Sequence, residues 1–262
     1  MSLGDALIGH SGFVGGTIDR SGWSFVARYN STNIETMRGR SFDTIICAGV
    51  TAVKWKANLE PDADWEGIKR LIDVLTTVSA NRFILLSTVD VFPHPIGVTE
   101  CDRPKRQTGQ PYGRNRLELE HWVATRFPLH HILRLPALFG KGLKKNALFD
   151  LLVGNQTYKI NPNAVFQWYP LRRLPEDMRK VMANHQGILN IAVEPIPMGI
   201  IADRLFRHTT IGSIEQSEVL YDMRTCFASL LGGTGRYHID AATSFAEMFE
   251  YVNNVRKDGG VP

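Results

Sequence analysis

The sequence predicts a doubly wound α/β fold, a parallel sheet with helices on both faces, followed by a smaller C-terminal lobe. Three observations predict it. Unbroken apolar runs such as Thr44-Ile45-Ile46-Cys47-Ala48 and Arg82 to Ser87 have the character of parallel strands buried on both faces. These runs alternate with stretches of helical rhythm, which implies parallel strands joined by right-handed crossovers. A glycine-rich turn, Gly9 to Gly16, separates the first strand from the first helix.

In chain order, Ala6-Leu7-Ile8 reads as a strand, Phe13 to Asp19 as a helix and Trp23 to Tyr29 as a second strand. The Thr44–Ala48 strand comes next. A helix from Asp62 to Val78 follows, because Trp65, Ile68, Leu71, Ile72 and Leu75 recur at helical spacing. After the Arg82–Ser87 strand, Val89 to Pro111 is rich in Pro, Gly and charge and reads as a loop. Tyr112 to Arg126 is predicted helical and His130 to Leu135 extended. Beyond Pro136 the rhythm weakens, with helices expected at Ala147–Val153, Leu174–Asn184, Ile200–His208, Thr225–Leu231 and Ser244–Arg256. The expected organisation is a dinucleotide-binding domain over residues 1–140 and a smaller substrate lobe over 141–262, with a strand near 188–192 returning to the main sheet. Such a lobe would lie over the carboxyl ends of the strands, where open α/β sheets bind ligands.

Composition narrows the function classes. With 44% apolar and 21% charged residues, the chain is ordinary for a soluble globular protein. No apolar run approaches the roughly 20 residues of a membrane span, and the N-terminus reads without a signal peptide, so a cytoplasmic location is expected. Three widely spaced cysteines, Cys47, Cys101 and Cys226, give neither a disulfide framework nor metal-ligand spacing. His130 and His131 point to opposite faces of a strand, so no metal site is expected. The net charge of +4 is dispersed, which disfavours nucleic acid as a partner. No Gly-x-Ser-x-Gly elbow is present, which argues against a serine hydrolase of the α/β type.

Three local patterns carry chemistry. Gly9-His10-Ser11-Gly12-Phe13-Val14-Gly15-Gly16 is a G-x-x-G-x-x-G run at the junction of a strand and a helix. Glycines there allow a tight turn and let backbone amides approach a pyrophosphate at the helix N-terminus. Tyr112-Gly113-Arg114-Asn115-Arg116 opens a helix, and residues four apart share a helix face. A phenol with a pKa near 10 is a poor acid or base at neutral pH, and a cation at Arg116 would lower that pKa. Ser87-Thr88 ends a strand, where the Thr88 hydroxyl could orient a carbonyl or alcohol.

In this order the three patterns resemble the extended short-chain dehydrogenase/reductases, whose members have a Rossmann-type fold, a glycine fingerprint, a strand-end Ser/Thr and Tyr-x-x-x-Lys. Ala48-Gly49-Val50-Thr51-Ala52-Val53, Ser87 to Pro93, Arg134 to Gly140 and Phe166 to Pro170 extend the resemblance. The first two are most like dTDP-4-dehydrorhamnose reductases. The resemblance implies Thr88, Tyr112 and Arg116 as catalytic residues. It implies a nicotinamide dinucleotide held by Gly9, Ser11, Gly12, Phe13, Val14, Arg28, Ala48, Gly49, Val50, Tyr112, Arg116 and Pro136. It further implies a small-molecule substrate, a nucleotide sugar, and a homodimer formed through the helices 62–78 and 112–126.

Several positions depart from the family pattern. Arg116 stands where the family has lysine, and its rigid fork is not interchangeable with an ammonium. Gly67 occupies the place of an asparagine. Val89 precedes Asp90 where dehydratases have two acids, which disfavours dehydration. No acid ends the second strand; Arg28, Asn30 and Ser31 lie there instead, which favours NADP over NAD if Arg28 is more than a surface residue. Two readings follow. The chain is an oxidoreductase or epimerase working by reversible hydride transfer with Tyr112 as acid/base. Alternatively, it is a catalytically silent NAD(P)-binding sensor or scaffold on the same fold.

Overall fold

The computed structural model describes residues 3–105, 109–212 and 219–259. The strands are β1 (Asp5–Ile8), β2 (Phe25–Tyr29), β3 (Ser41–Cys47), β4 (Ser79–Thr88), β5 (His130–Leu135), β6 (Ala137–Phe139), β7 (Val165–Phe166), β8 (Trp168–Pro170), β9 (Gly187–Asn190) and β10 (Ile196–Pro197). The helices are α1 (Phe13–Asp19), α2 (Lys54–Leu59), α3 (Pro61–Leu75), α4 (Pro111–Arg126), α5 (Ala147–Val153), α6 (Leu174–Asn184), α7 (Met198–Leu205) and α8 (Ala241–Lys257).

The chain divides into two compact units. The first (Met1–His94, Glu100–Leu135, Leu174–Asn190) holds a six-stranded sheet of order β2-β1-β3-β4-β5-β9, parallel throughout. α3 packs on α4, and α1 on α6. The apolar runs are continuous because both faces of the sheet are covered. Ala6, Ile8, Ile45, Cys47, Phe83 and Leu85 join one cluster with Ile68, Leu71 and Leu75 of α3 and Leu119 and Val123 of α4. The intervening Leu7, Ile46, Ile84 and Leu133 are equally buried. This is the Rossmann-type doubly wound sheet that the alternation predicts.

The large apolar residues of the two helices expected to form a dimer, α3 and α4, are engaged within the unit. Trp65 and Trp122 pack against the core and Val123 is fully buried. The exposed large apolar residues nearby are Trp55 and Leu59 of α2.

The second unit (Pro95–Thr99, Pro136–Arg173, Ile191–Pro262) pairs β6 with β8 in parallel and β7 with β10 antiparallel. Its centre is stapled by Gln167, fully buried, whose amide donates to the Val193 and Met223 carbonyls and accepts from the Met223 N–H. Thr225–Leu231, expected as a helix, forms only a 3-10 turn at Ala228–Leu231. The Thr225 hydroxyl takes the Phe227 N–H at 3.0 Å, an interaction that competes with helix propagation, and Gly232 at φ +88° closes the turn. Among the described residues no helix is long and apolar enough to cross a membrane, and no group of His, Cys, Asp or Glu could hold a metal ion.

Candidate active site

The direction of winding reverses between β1 and β3, and in open α/β sheets ligands bind at such a switch point, outside the carboxyl ends of the strands. Two glycine turns interlock there. Gly9 has φ +85°, and a Cβ on it would lie 2.4 Å from the Ala48 carbonyl oxygen. A Cβ on Gly49 would reach 2.5 Å from the Ile8 side chain, and one on Gly15 would reach 2.0 Å from the Gly9 carbonyl oxygen. Only glycines let these backbones approach so closely. Ser11 and Gly12 are exposed, Phe13 and Val14 begin α1 half-buried, and Val50 packs partly against the core. Gly12 is the N-cap of α1, and among the described residues neither a side-chain cap nor an acid occupies its first turn. The turn thus presents bare backbone N–H groups, as a dinucleotide pyrophosphate requires.

The second part of the site is built where β4 ends. The Thr88 hydroxyl accepts the Asp90 N–H at 3.2 Å and caps a 3-10 turn over Val89–Val91, which is anchored by the buried side chains of Val89 and Val91. On the opposite face of β4, Ser87 donates to Glu120 of α4 at 2.5 Å, and Glu120 is paired with Arg134 at 2.7 Å, both buried. α4 lies so close to the Val89–Val91 turn that a Cβ on Gly113 would be 1.8 Å from the Asp90 carbonyl oxygen. This contact brings the adjoining residue, Tyr112, close to Thr88, whose hydroxyl favours the ionised phenol.

Tyr112 is 7% exposed. Burial raises its pKa above the ordinary phenol value. Arg116, the Thr88 hydrogen bond and Lys54 pull it down, Asp90 pushes it up, and the balance stays upward. The phenol is therefore held in its protonated form at neutral pH. Its backbone N–H is capped by Asn58 of α2 at 3.0 Å.

Arg116 shares a helix face with Tyr112, as the spacing predicts, and its guanidinium lies 3.9 Å from the centre of the Tyr112 ring. The guanidinium is also sealed. It forms a two-pronged ion pair with Asp64 of α3, and its terminal nitrogens donate further to the Tyr112 and Thr51 carbonyls. Both partners of the pair are buried. A second cation is placed differently. Lys54, the first residue of α2, pairs with Asp90 at 2.7 Å, and its side chain is 42% exposed.

The remaining candidates lie apart from this pair of hydroxyls. Arg28 bends back along β2, where it pairs with Asp19 at 2.6 Å and donates to the Phe25 carbonyl at 3.2 Å. Asn30 shapes the following turn by accepting from the Thr32 N–H and hydroxyl. Pro136 follows β5 and opens the second unit. Lys54, Asn58 and Asp64 were not singled out in the sequence. Lys54 could have been found from position alone, since a segment leaving β3 must emerge beside the end of β4.

The sheet order and winding are those of a Rossmann-type doubly wound fold. Three solved structures share it. They are DesIV, a dTDP-glucose 4,6-dehydratase from Streptomyces venezuelae with NAD bound (TM-score 0.74, 15% identity, 98% of each chain); a dTDP-4-dehydrorhamnose reductase from Bacillus anthracis in complex with NADP (0.73, 13%, 97% of this chain and 99% of that one); and a UDP-glucose 4-epimerase from Thermotoga maritima with UDP-glucose (0.73, 13%, 98% and 99%). At these identities the likeness is one of fold. No protein-family model matches the sequence, and no curated protein matches it.

Proposed function

We propose that this chain is an NAD(P)-dependent enzyme of the extended short-chain dehydrogenase/reductase type, acting on a hydroxyl-bearing or carbonyl carbon of a nucleotide sugar. The observation that carries the reading is the Thr88–Tyr112 hydroxyl pair, set at the carboxyl edge of a parallel sheet whose β1/β3 switch point presents a side-chain-free glycine turn. The nucleotide-sugar reading is supported by the solved structures of the same fold, which are proteins of nucleotide-sugar chemistry.

The Gly9–Val14 turn and Ala48 to Val50 would hold a nicotinamide dinucleotide, which would supply the hydride chemistry. The protein's share is orientation and a proton. Thr88 orients the substrate oxygen, and Tyr112 donates its proton to that oxygen on reduction and takes it back on oxidation. A buried, protonated phenol suits the donor role. Tyr112→Phe should lower NAD(P)H-linked turnover of nucleotide sugars by roughly a hundredfold to ten-thousandfold while sparing cofactor affinity. Wild-type turnover in that variant would end the assignment.

NADP is the favoured cofactor, because no acid ends β2 and Arg28 stands nearest. Arg28 would have to exchange Asp19 for the 2′-phosphate. Calorimetric titration of both cofactors tests this. Arg28→Ala should erase the preference, and an unchanged ratio of dissociation constants removes Arg28 from the site. The sensor reading finds its support in the sealed Arg116. Tight cofactor binding without any turnover, in wild type and Tyr112→Phe alike, would favour it.

A further inference from the structure

We infer that Glu120 and Arg134 are positioning residues of the candidate site, one buried ion pair that grips both ends of the segment 87–92 and so holds Thr88 beside Tyr112. The inference deepens the reading of Thr88 and Tyr112 as the reacting pair and rests on it.

Thr88 sits in a short segment with a buried hold on either side of it. On one side Ser87 donates to Glu120 Oε1 at 2.5 Å. On the other, the Arg134 guanidinium carbon lies 4.9 Å from the centre of the Phe92 ring. The two holds are one unit. Arg134 donates to the Glu120 carboxylate through Nε at 3.1 and 3.2 Å and through Nη2 at 2.7 Å. Its remaining nitrogen, Nη1, is buried and has no hydrogen-bond partner among the described residues. An aromatic face attracts such a cation, and Phe92 supplies one. Ser87, Phe92, Glu120 and Arg134 are all buried, so water does not stand in for these contacts. A buried ion pair is a costly way to fill a core, and apolar residues of like volume would stabilise it as well. What the pair adds is direction, because a carboxylate and a planar guanidinium fix the groups they bond in one geometry. Between the two holds, Thr88 caps its turn through the Asp90 N–H at 3.2 Å, with Val89 and Val91 buried beneath. Glu120 stands on α4, the helix that carries Tyr112. The pair therefore ties the segment bearing the hydroxyl to the helix bearing the phenol, and it acts through Thr88 rather than on the reacting atoms.

The test reads how strongly Thr88 acts on the phenol, without cofactor or substrate. The protein is produced with 3,5-difluorotyrosine, whose phenol ionises nearer neutrality than that of tyrosine, and the Tyr112 fluorine resonance is assigned by its loss in Tyr112→Phe. The Thr88 hydroxyl favours the phenolate. Thr88→Val should therefore raise the ionisation midpoint by roughly half to one pH unit. Ser87→Ala and Phe92→Leu each open one hold and spare the ion pair, so both variants retain the fold, which circular dichroism checks. In either background Thr88→Val should raise the midpoint by no more than about half as much. Comparing Thr88→Val within one background cancels the charges of Arg116, Asp90 and Lys54, which also act on the phenol. Ser244→Ala is the control. It too removes a buried serine hydrogen bond, to the Trp168 carbonyl at 2.6 Å in the second unit, and should leave the Thr88→Val shift whole. A full shift in either the Ser87→Ala or the Phe92→Leu background overturns the inference and leaves the reading of Thr88 and Tyr112 standing. No shift from Thr88→Val in the otherwise native protein overturns both, so the two failures are told apart.

Discussion

Tyr112 lies between two ion pairs that look alike on paper and behave as opposites. Arg116–Asp64 is 5% and 7% exposed and two-pronged; Lys54–Asp90 is 42% and 19% exposed and joined through one oxygen. In the buried pair each charge has given up water and depends on the other, so losing either leaves an uncompensated charge. In the open pair water stands in for either partner. The first pair is therefore part of the framework that joins α3 to α4 under Tyr112, whereas the second lies partly in solvent. Burial, more than residue type, separates the two roles.

The comparison is sharpest in stability. Arg116→Met or Asp64→Leu alone should cost about 3–5 kcal/mol, by stranding a buried charge. The two together should recover the larger part, since removing both charges also removes their desolvation. Urea titration of the two single variants and the double variant would break the comparison if the losses simply added.

A smaller effect tests the same rule on a buried base with no acid to pair with. His131 is 1% exposed on β5. Burial, then the charges of Arg82, His185 and His130, lower its pKa from 6.5 to about 4, against the opposing pull of the His185 backbone. As pH falls the unfolded chain takes up this proton before the folded one does. The stability His131 contributes is thus complete above about pH 6.5 and lost progressively toward about pH 4. The loss should approach roughly 3 kcal/mol, and His131→Leu should flatten that limb of a urea-midpoint against pH curve.

The smallest effect completes the set. Lys54→Met should change stability by no more than about 1 kcal/mol. A loss as large as that of Arg116→Met would make Lys54 structural and erase the contrast.

Much of this was legible in the sequence where the signal is local. The Gly9–Gly16 turn, Thr88 at a strand end and Tyr112 with Arg116 on one helix face each need only a short window, and strand alternation fixed the sheet. What could not be read was pairing across distance. Asp64 reads as one more charge in the first turn of α3, and nothing marks it as the partner of Arg116, 52 positions away. α2 was missed because Lys54-Trp55-Lys56-Ala57-Asn58-Leu59 buries only Ala57 and so has no apolar stripe to reveal it. The Lys54 and Asn58 contacts to the site were hidden with it.

The tie from Ser87 to Glu120, with Arg134 behind it, has a consequence for how the site is held. Strand β4 and helix α4 are joined inside the core by Ser87–Glu120, one residue before Thr88 on the strand. That internal strut fixes β4 against α4 from within the core, so the placement of Thr88 beside Tyr112 does not depend on contacts at the rim alone.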